Sequence, residues 1–415
     1  MKSFAQSGRK RTRRRAAANP RPARTARFPR LVGMCADAAA ALARLRVAIV
    51  GCGSVGGRVA LHLARCGVRG LVLIDPKKYR PVSLVTHECY AEAIGQNKAD
   101  VMATVCRSIC PDLEVRVYVK PVQDLLLGDL VEADVVVMAT DNLPAEVDTG
   151  QRCIWLGKPL VHAALHGETL TATVRFFLNS DGQGPCPACL FGPQEWRDHD
   201  ANLRRYSCDG TAHDPSLKGT GVVPTRSLSF LCAMSADLAT NQVIRHLLGL
   251  GRSVGDTMVE YNGYTHRTVV VPLGRNSNCP CEHVQYRVVR STRQISDLTM
   301  RELVEMAGAN HKSRDLLLQI PNMRWIDQMT CKCGAVTVVR HFQPYGDLCT
   351  KKCQTCKRIV VAGPMDASGA VATAAFDSVL DVPIRQLGAR AMSQATLRDA
   401  NRAWLIVPAH REARQ

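Results

Sequence analysis

The run Val47-Ala-Ile-Val-Gly-Cys-Gly-Ser-Val-Gly-Gly57 constrains the fold more than any other stretch of the chain. An apolar run of strand length leads into Gly51-x-Gly53-x-x-Gly56, a helix-like stretch follows over residues 58–66, and a second apolar run ends at Asp75. Strand, glycine turn, helix and strand in that order make a βαβ unit, whose two strands lie parallel and whose crossover is right-handed. The glycines let backbone N–H groups approach a phosphate, and the helix start that follows favours negative charge. Asp75 stands 24 residues after Gly51, where a carboxylate accepts from ribose hydroxyls. A lone GxGxxG is a weak signal; in this context it predicts nucleotide binding through Gly51, Gly53, Gly56 and Asp75.

The same alternation continues. Residues 46–50, 70–74, 114–119, 134–139 and 159–162 are β-prone, and residues 96–109 and 122–130 between them read as helical. This predicts an α/β fold, a doubly wound, Rossmann-like, mainly parallel sheet, with ligands at the carboxyl ends of the strands. Asp75 and Thr140-Asp141-Asn142 both follow strand ends, so they face one crevice. Residues 27–45 read as an entry helix, 171–178 and 267–272 as strands, and 225–249 as a long apolar helix. Residues 180–222 are rich in Gly, Pro, Asp and Arg with little periodicity, which predicts a long functional loop. The expected organisation is a basic disordered tail (1–26), a nucleotide-binding domain (27–285), a connector with a helix near 299–307 (286–328), a zinc ribbon (329–362) and an extension with a helical piece near 393–402 (363–415).

The formal charge of +18 is concentrated at one end, because residues 1–30 hold eleven Lys and Arg and no acid. That tail reads as disordered. A solvated tail, or a start assigned too early, fits it better than a nucleic-acid function, although the basic residues leave such a partner open. The apolar runs are too short to cross a bilayer, and the tail lacks the apolar core of a secretion signal. The expectation is a soluble, cytoplasmic protein with no membrane partner.

Most of the 18 cysteines sit singly in apolar stretches and read as small buried hydrophobes in a reducing compartment. The close groups differ: Cys186 and Cys189, Cys279 and Cys281, Cys331 and Cys333, and Cys353 and Cys356, with Cys349 nearby. Pairs of this kind argue for Zn²⁺ rather than disulfides. The first four are one expected set, with His283 a candidate substitute. Cys331, Cys333, Cys353 and Cys356 are the second, in a ribbon with Cys349 spare or alternative.

Together these pieces resemble the ThiF/MoeB-type, ubiquitin-activating-like adenylyltransferases. The match covers about residues 27–285 and rests on Gly51-Cys-Gly-Ser-Val-Gly56, Asp75, Gly95-Gln-Asn-Lys98, Thr140-Asp141-Asn142, Cys186-Pro-Ala-Cys189, Ser207-Cys208 and the cysteine pair after Asn278. The resemblance implies ATP-dependent adenylation of the C-terminal carboxylate of a ubiquitin-like or sulfur-carrier protein by a homodimer. It assigns Asp75 to the ribose, Lys98 to the phosphates and Asp141 to Mg²⁺, and places Ser83 and Asn142 beside the nucleotide. Arg27-Phe-Pro-Arg30 is similar to an entry motif whose last arginine, here Arg30, reaches the partner subunit's ATP. Cys208 falls in the crossover loop where the family carries a reactive cysteine, and Arg204 and Arg205 before it favour a thiolate.

One position departs from the pattern. Where the family shows Asn-Leu-x-Arg-Gln, this chain has Ser83-Leu-Val-Thr-His87, so Thr86 replaces a phosphate-binding arginine. Threonine cannot supply that bidentate charge, and Arg80 is a candidate to do so. The leading expectation is adenylation followed by a Cys208 thioester passed to a conjugating enzyme, as in bacterial ubiquitin-like conjugation, including antiviral systems. The alternatives are sulfur-carrier activation for thiamine, molybdopterin or tRNA thiolation, and a non-catalytic nucleotide-binding scaffold. A nicotinamide dehydrogenase fits the glycine turn alone and leaves Lys98, Asp141 and the cysteine pairs without a role.

Overall fold

The structure is a computed structural model that describes residues 38–180, 182–205, 227–251, 255–310, 315–362, 367–390 and 392–409. After a short α1 (Ala38–Leu42), the first part runs β1 (Arg46–Val50), α2 (Gly56–Cys66), β2 (Gly70–Ile74), α3 (Lys98–Ile109), β3 (Glu114–Tyr118), β4 (Val135–Met138), α4 (Leu143–Leu156), β5 (Leu160–His166) and β6 (Thr171–Phe177). It continues with α5 (Pro193–Arg205), α6 (Ser229–Leu248), β7 (Thr257–Asn262) and β8 (Arg267–Pro272). These eight strands form one sheet in the order β3-β2-β1-β4-β5-β6-β7-β8. The first five are mutually parallel, and β6, β7 and β8 add antiparallel. The expected doubly wound, mainly parallel α/β sheet is therefore present.

Period-two alternation divides its apolar residues between two faces. Val47, Ile49, Leu71, Leu73, Val135 and Val137 pack under α2, α3 and α6. Ala48, Val50, Val72, Ile74, Val136 and Met138 face Cys153 and Leu156 of α4 and the apolar turns of residues 122–131. Both faces are buried, as a parallel sheet requires.

The second part has its own core. It comprises β9 (Tyr286–Ser291), α7 (Met300–Ala307), β10 (Leu317–Gln319), β11 (Met323–Thr330), β12 (Val336–Pro344), β13 (Thr350–Lys352), β14 (Ile359–Val361), β15 (Ala367–Ser368), β16 (Ala370–Ala372), β17 (Ala395–Arg398) and β18 (Ala403–Pro408). Five of these strands pair in the order β16-β10-β17-β18-β9, with β9 parallel to β18. Leu303, Leu318, Trp325, Phe342, Phe376, Leu397 and Ile406 fill one cluster, in which the Trp325 ring centroid lies 4.8 Å from Phe342 and 4.6 Å from Phe376. Thr299 and Glu302 form a capping box that starts α7, and Gly308 ends it. Leu405 and Val407 of β18 enter the nucleotide-domain cluster under β1 and β4, and the Gly128 N–H donates to Gln394 Oε1 at 2.7 Å.

Two expectations about local structure give way to side-chain chemistry. Residues 122–130 are two 3-10 turns, Val122–Asp124 and Leu127–Leu130, instead of a helix. The Asp129 carboxylate accepts the Leu126 N–H at 3.0 Å, a local bond that competes with the helical ladder. Residues 393–402 hold β17 and the turn into β18, because Asp399 Oδ1 accepts the N–H groups of Asn401 and Arg402 and makes the turn. The stretch expected as loop over 180–222 contains α5 in its described half. Residues 286–328 and 363–415, expected as a connector and an extension, meet in one sheet through β10–β16 and β10–β17 pairing. No helix of the described residues is long and apolar enough to cross a membrane.

Candidate nucleotide crevice and metal centres

The crevice lies at the carboxyl ends of β1, β2 and β4. Gly51 has φ +90°, and a Cβ there would come 2.5 Å from the Ala139 carbonyl oxygen; a Cβ on Gly56 would meet the Gly51 oxygen at 1.9 Å. Only glycine lets the turn close this tightly against β4. No side chain caps α2, whose N-cap position is Val55; within its first turn the Gly57 N–H donates to the Gly53 carbonyl at 3.0 Å. The structure thus brings Gly51, Gly53 and Gly56 to the place expected of a phosphate-binding turn.

Asp75 ends β2 and is buried. Its Oδ2 accepts the Cys52 N–H at 2.8 Å and its Oδ1 the Lys77 N–H at 2.7 Å. Asn97 clamps the next element in place. Its Oδ1 caps α3 by accepting from Ala99 and Asp100, while its Nδ2 donates to the carbonyls of Asp75 and Lys77 at 3.1 Å each. Lys98, the first residue of α3, is therefore carried to the end of β2. The sequence reading held Asn97 within Gly95-Gln-Asn-Lys98 but gave it no role, although Asn before a helical run is an N-cap signal.

Lys98 Nζ lies 3.3 Å from His87 Nε2 and 6.0 Å from the Tyr79 ring centroid. Burial holds the Lys98 pKa below its ordinary value; Asp75 and Asp141 oppose that shift, and Lys77 and Arg80 add to it. Three cations and two carboxylates thus converge on one crevice. Ser83 is buried, and its Oγ accepts the Arg80 N–H at 3.1 Å. Its hydroxyl holds the turn Pro81–Val85, which carries Arg80, Thr86 and His87.

After β4, Asn142 caps α4: its Oδ1 accepts the Ala145 N–H at 3.0 Å. Asp141 is thereby left free of the capping duty. Its side chain is 90% exposed, with Lys77 Nζ at 3.7 Å. Behind it, Glu146 of α4 and His162 of β5 are buried with Glu146 Oε1 3.7 Å from His162 Nε2, and Arg175 of β6 approaches His162 Nδ1 at 3.4 Å. Burial pushes Glu146 up to about 8, against the pull of Arg175. Burial and Arg175 push His162 down to about 3. Both are therefore uncharged at neutral pH, and their approach is not an ion pair. Arg30 and Cys208 lie outside the described residues.

Two groups of thiols have metal-site geometry. Cys186, Cys189, Cys279 and His283 bring four ligand atoms within 4.8 Å of one another. Cys186 Sγ lies 3.7 Å from Cys189 Sγ and 3.6 Å from Cys279 Sγ, and Cys189 Sγ lies 3.6 Å from His283 Nε2. Cys331, Cys333, Cys353 and Cys356 form the second group, with Sγ separations of 3.5 Å (331 to 356) and 3.7 Å (333 to 353). A tetrahedron with Zn–S bonds of about 2.3 Å has edges of about 3.7 Å, and a disulfide would need about 2.05 Å. Both donor sets fit zinc. In the first, the fourth ligand atom is His283 Nε2 where the sequence suggested Cys281. Cys281 is buried in the same cluster and its thiol interacts with that of Cys186, but it falls outside the four-atom set. In the second, the pairs sit on β11–β12 and β13–β14, and Gly334 (φ +85°) and Lys357 (φ +60°) turn the chain at each. Cys349 is buried with its Sγ 3.7 Å from Met329 Sδ, as a core residue.

A family model described as the ThiF family matches residues 27–281. The chain belongs to the ThiF family. Its matched segment holds the crevice and the three thiols of the first group. Among curated relatives, the adenylyltransferase and sulfurtransferase MOCS3 of Arabidopsis thaliana is 36% identical over 152 residues, 36% of this chain and 32% of that protein. MOCS3-1 of Zea mays is 30% identical and covers 58% of this chain and 47% of its own length. The SAMP-activating enzyme E1 of Haloferax volcanii is 27% identical over 57% of this chain and 79% of its own. The sulfur carrier protein adenylyltransferase of Thermus thermophilus is 25% identical over 58% and 82%. The chain thus spans less than half the length of the MOCS3 relatives it matches. Among solved structures, E. coli MccB with ATP superposes at a TM-score of 0.46 with 19% identity, covering 58% of this ThiF chain and 68% of that one.

Proposed function

We propose that the protein uses ATP to adenylate the C-terminal carboxylate of a small ubiquitin-like or sulfur-carrier protein. The observation that carries the reading is the convergence of the glycine turn, Asp75, Lys98 and Asp141 on one crevice. In this reading, the free lone pairs of Asp75 accept from the ribose, and the N–H groups of the turn and the α2 start take phosphate oxygens. Lys98 neutralises charge as it builds on the departing pyrophosphate. The carrier carboxylate attacks the α-phosphorus, a C–O–P bond forms, and the bond to the β-phosphate breaks. Asp141 and the phosphates would hold Mg²⁺, which supplies further charge neutralisation when bound. Asn142 and Ser83 keep the crevice walls in place, and Arg30 of a second copy would complete the site in a homodimer. Zinc in the two thiol groups is structural: one staples the crossover segment to residues 279–283, the other closes the ribbon.

The relatives' names favour a sulfur carrier as the substrate, as in thiamine, molybdopterin or tRNA thiolation chemistry. The named SAMP-activating enzyme E1 keeps conjugation as a second reading, in which a Cys208 thiolate takes the carrier from the adenylate as a thioester and a conjugating enzyme receives it. A reducing cytoplasm suits both, since each needs free thiols.

Carrier-dependent exchange of labelled pyrophosphate into ATP tests the reading. Exchange that appears only with a candidate carrier supports it, and its absence with every carrier ending in glycine refutes it. Cys208→Ala separates the two forms. Conjugation predicts normal exchange but loss of a thiol-sensitive covalent adduct, whereas a pure sulfur-carrier activator forms no such adduct.

A further inference from the structure

His87 has no assigned part in the crevice, yet it stands at its centre. It follows the turn Pro81–Val85 and lies over the glycine turn, where a Cβ on Gly53 would be 3.5 Å from its Nε2. Lys98 Nζ is 3.3 Å from that same nitrogen, and Thr86 Oγ1 is 3.1 Å from Nδ1. An ammonium only donates, so Nε2 accepts from Lys98 and the imidazole proton sits on Nδ1, donated to Thr86. The other groups facing the ring are Tyr79, edge-on at 5.9 Å, and the charges of Arg80 from the turn and Asp141 from the end of β4. Burial, Lys98 and Arg80 lower the His87 pKa to about 4 against the pull of the Ser83 backbone and Asp141, so the free protein holds the ring neutral.

A triphosphate on the glycine turn would reverse this balance. Lys98 would turn to the phosphates, leaving a bare Nε2 lone pair facing phosphate oxygens. Two acceptors repel, and several negative charges nearby favour the imidazolium. We propose that His87 is a triphosphate ligand that parks Lys98 in the free enzyme and takes up a proton from solvent when ATP binds. The inference rests on the reading of this crevice as an ATP site. It gives the chain a conditional cation beside Thr86, where the side chain itself carries no charge.

The test is calorimetric titration of the full-length protein with ATP at saturating Mg²⁺, in buffers of different ionisation enthalpy, with AMP as the ligand lacking the β- and γ-phosphates. The slope of heat against buffer enthalpy counts the protons taken up. The expected result is a fraction of a proton for ATP, none for AMP, and an ATP affinity that weakens as pH rises. His87→Gln, which keeps a donor near Nε2 without titrating, should still bind ATP and lose the uptake. His87→Ala should lose the uptake and about tenfold in affinity. If His87→Gln does not fold, His87→Asn serves in its place. Equal uptake in wild type and variant, or none in wild type, overturns the proposal and leaves the ATP reading intact. No heat with ATP in any buffer removes the ATP reading itself.

Discussion

Asp75 Oδ2 accepts the backbone N–H of Cys52 at 2.8 Å, so the acid that ends β2 and the glycine turn that ends β1 are one rigid piece. The register of the two strands sets this distance, with Val50 opposite Ile74. Asp75→Ala should therefore fail twice. It removes the ribose acceptor and frees two N–H groups, the buried one of Cys52 and the part-buried one of Lys77. We expect ATP affinity to fall at least about tenfold and stability to fall by about 1–3 kcal/mol. Asp75→Asn, with one acceptor oxygen left, should lie between. Calorimetry and denaturant melts read the two effects separately; a variant with unchanged melting would remove the argument for a rigid turn.

Asp141→Ala makes the opposite contrast. Its side chain is 90% exposed with Lys77 Nζ at 3.7 Å, while Asn142 does the capping. The melting temperature should not change, whereas the Mg²⁺ dependence of pyrophosphate exchange should vanish with the exchange. Asn142→Ala should do the reverse in part, costing about 1 kcal/mol of stability through the lost cap. Exchange that persists in Asp141→Ala would remove the metal role.

The sequence was legible where one local rule decides. The strand–glycine–helix order placed β1, α2, β2 and the crevice, and the cysteine spacings placed both thiol groups. It was not legible where partners are distant. His87 acquires its place only because α3 brings Lys98 to it, and Glu146 meets His162 only because β5 lies beside α4. The pairing of β10 with β16 and β17 joins residues some 50 to 80 positions apart across the ribbon, which no local pattern announces. The hairpin at Asp399, where a helical piece was expected, is made by an Asx turn whose acceptor serves two backbone N–H groups.

His283 in place of Cys281 is a claim that metal analysis can decide. Two zinc ions per chain are expected. His283→Ala should lower the count by one and destabilise the segment that Cys186 and Cys189 anchor, while Cys281→Ala should keep both ions. Cys331→Ser should lose only the ribbon ion. Loss of metal in Cys281→Ala with full occupancy in His283→Ala would return the ligand role to the cysteine.

Glu146 offers a pH test of the buried group behind the crevice. Its folded pKa is raised to about 8 from the ordinary 4.5. Between those values the folded state keeps a proton that the unfolded state has released, so stability declines as pH rises through that window and the whole cost is present above it. His162, lowered to about 3 from 6.5, works at the other end: it costs stability as pH falls below its ordinary value. Glu146→Gln keeps the size and the polar contact but cannot ionise. The variant should match wild type near the lower limit of the window and gain stability over it with rising pH, until the difference levels off above about pH 8. Arg175→Met should widen the wild-type decline, because the guanidinium is the group that holds the Glu146 pKa down. Melting curves of the three proteins from acid to mild alkali measure this directly. A difference between wild type and Glu146→Gln that is flat across the range would mean that the carboxyl is ionised in the fold and that water reaches it.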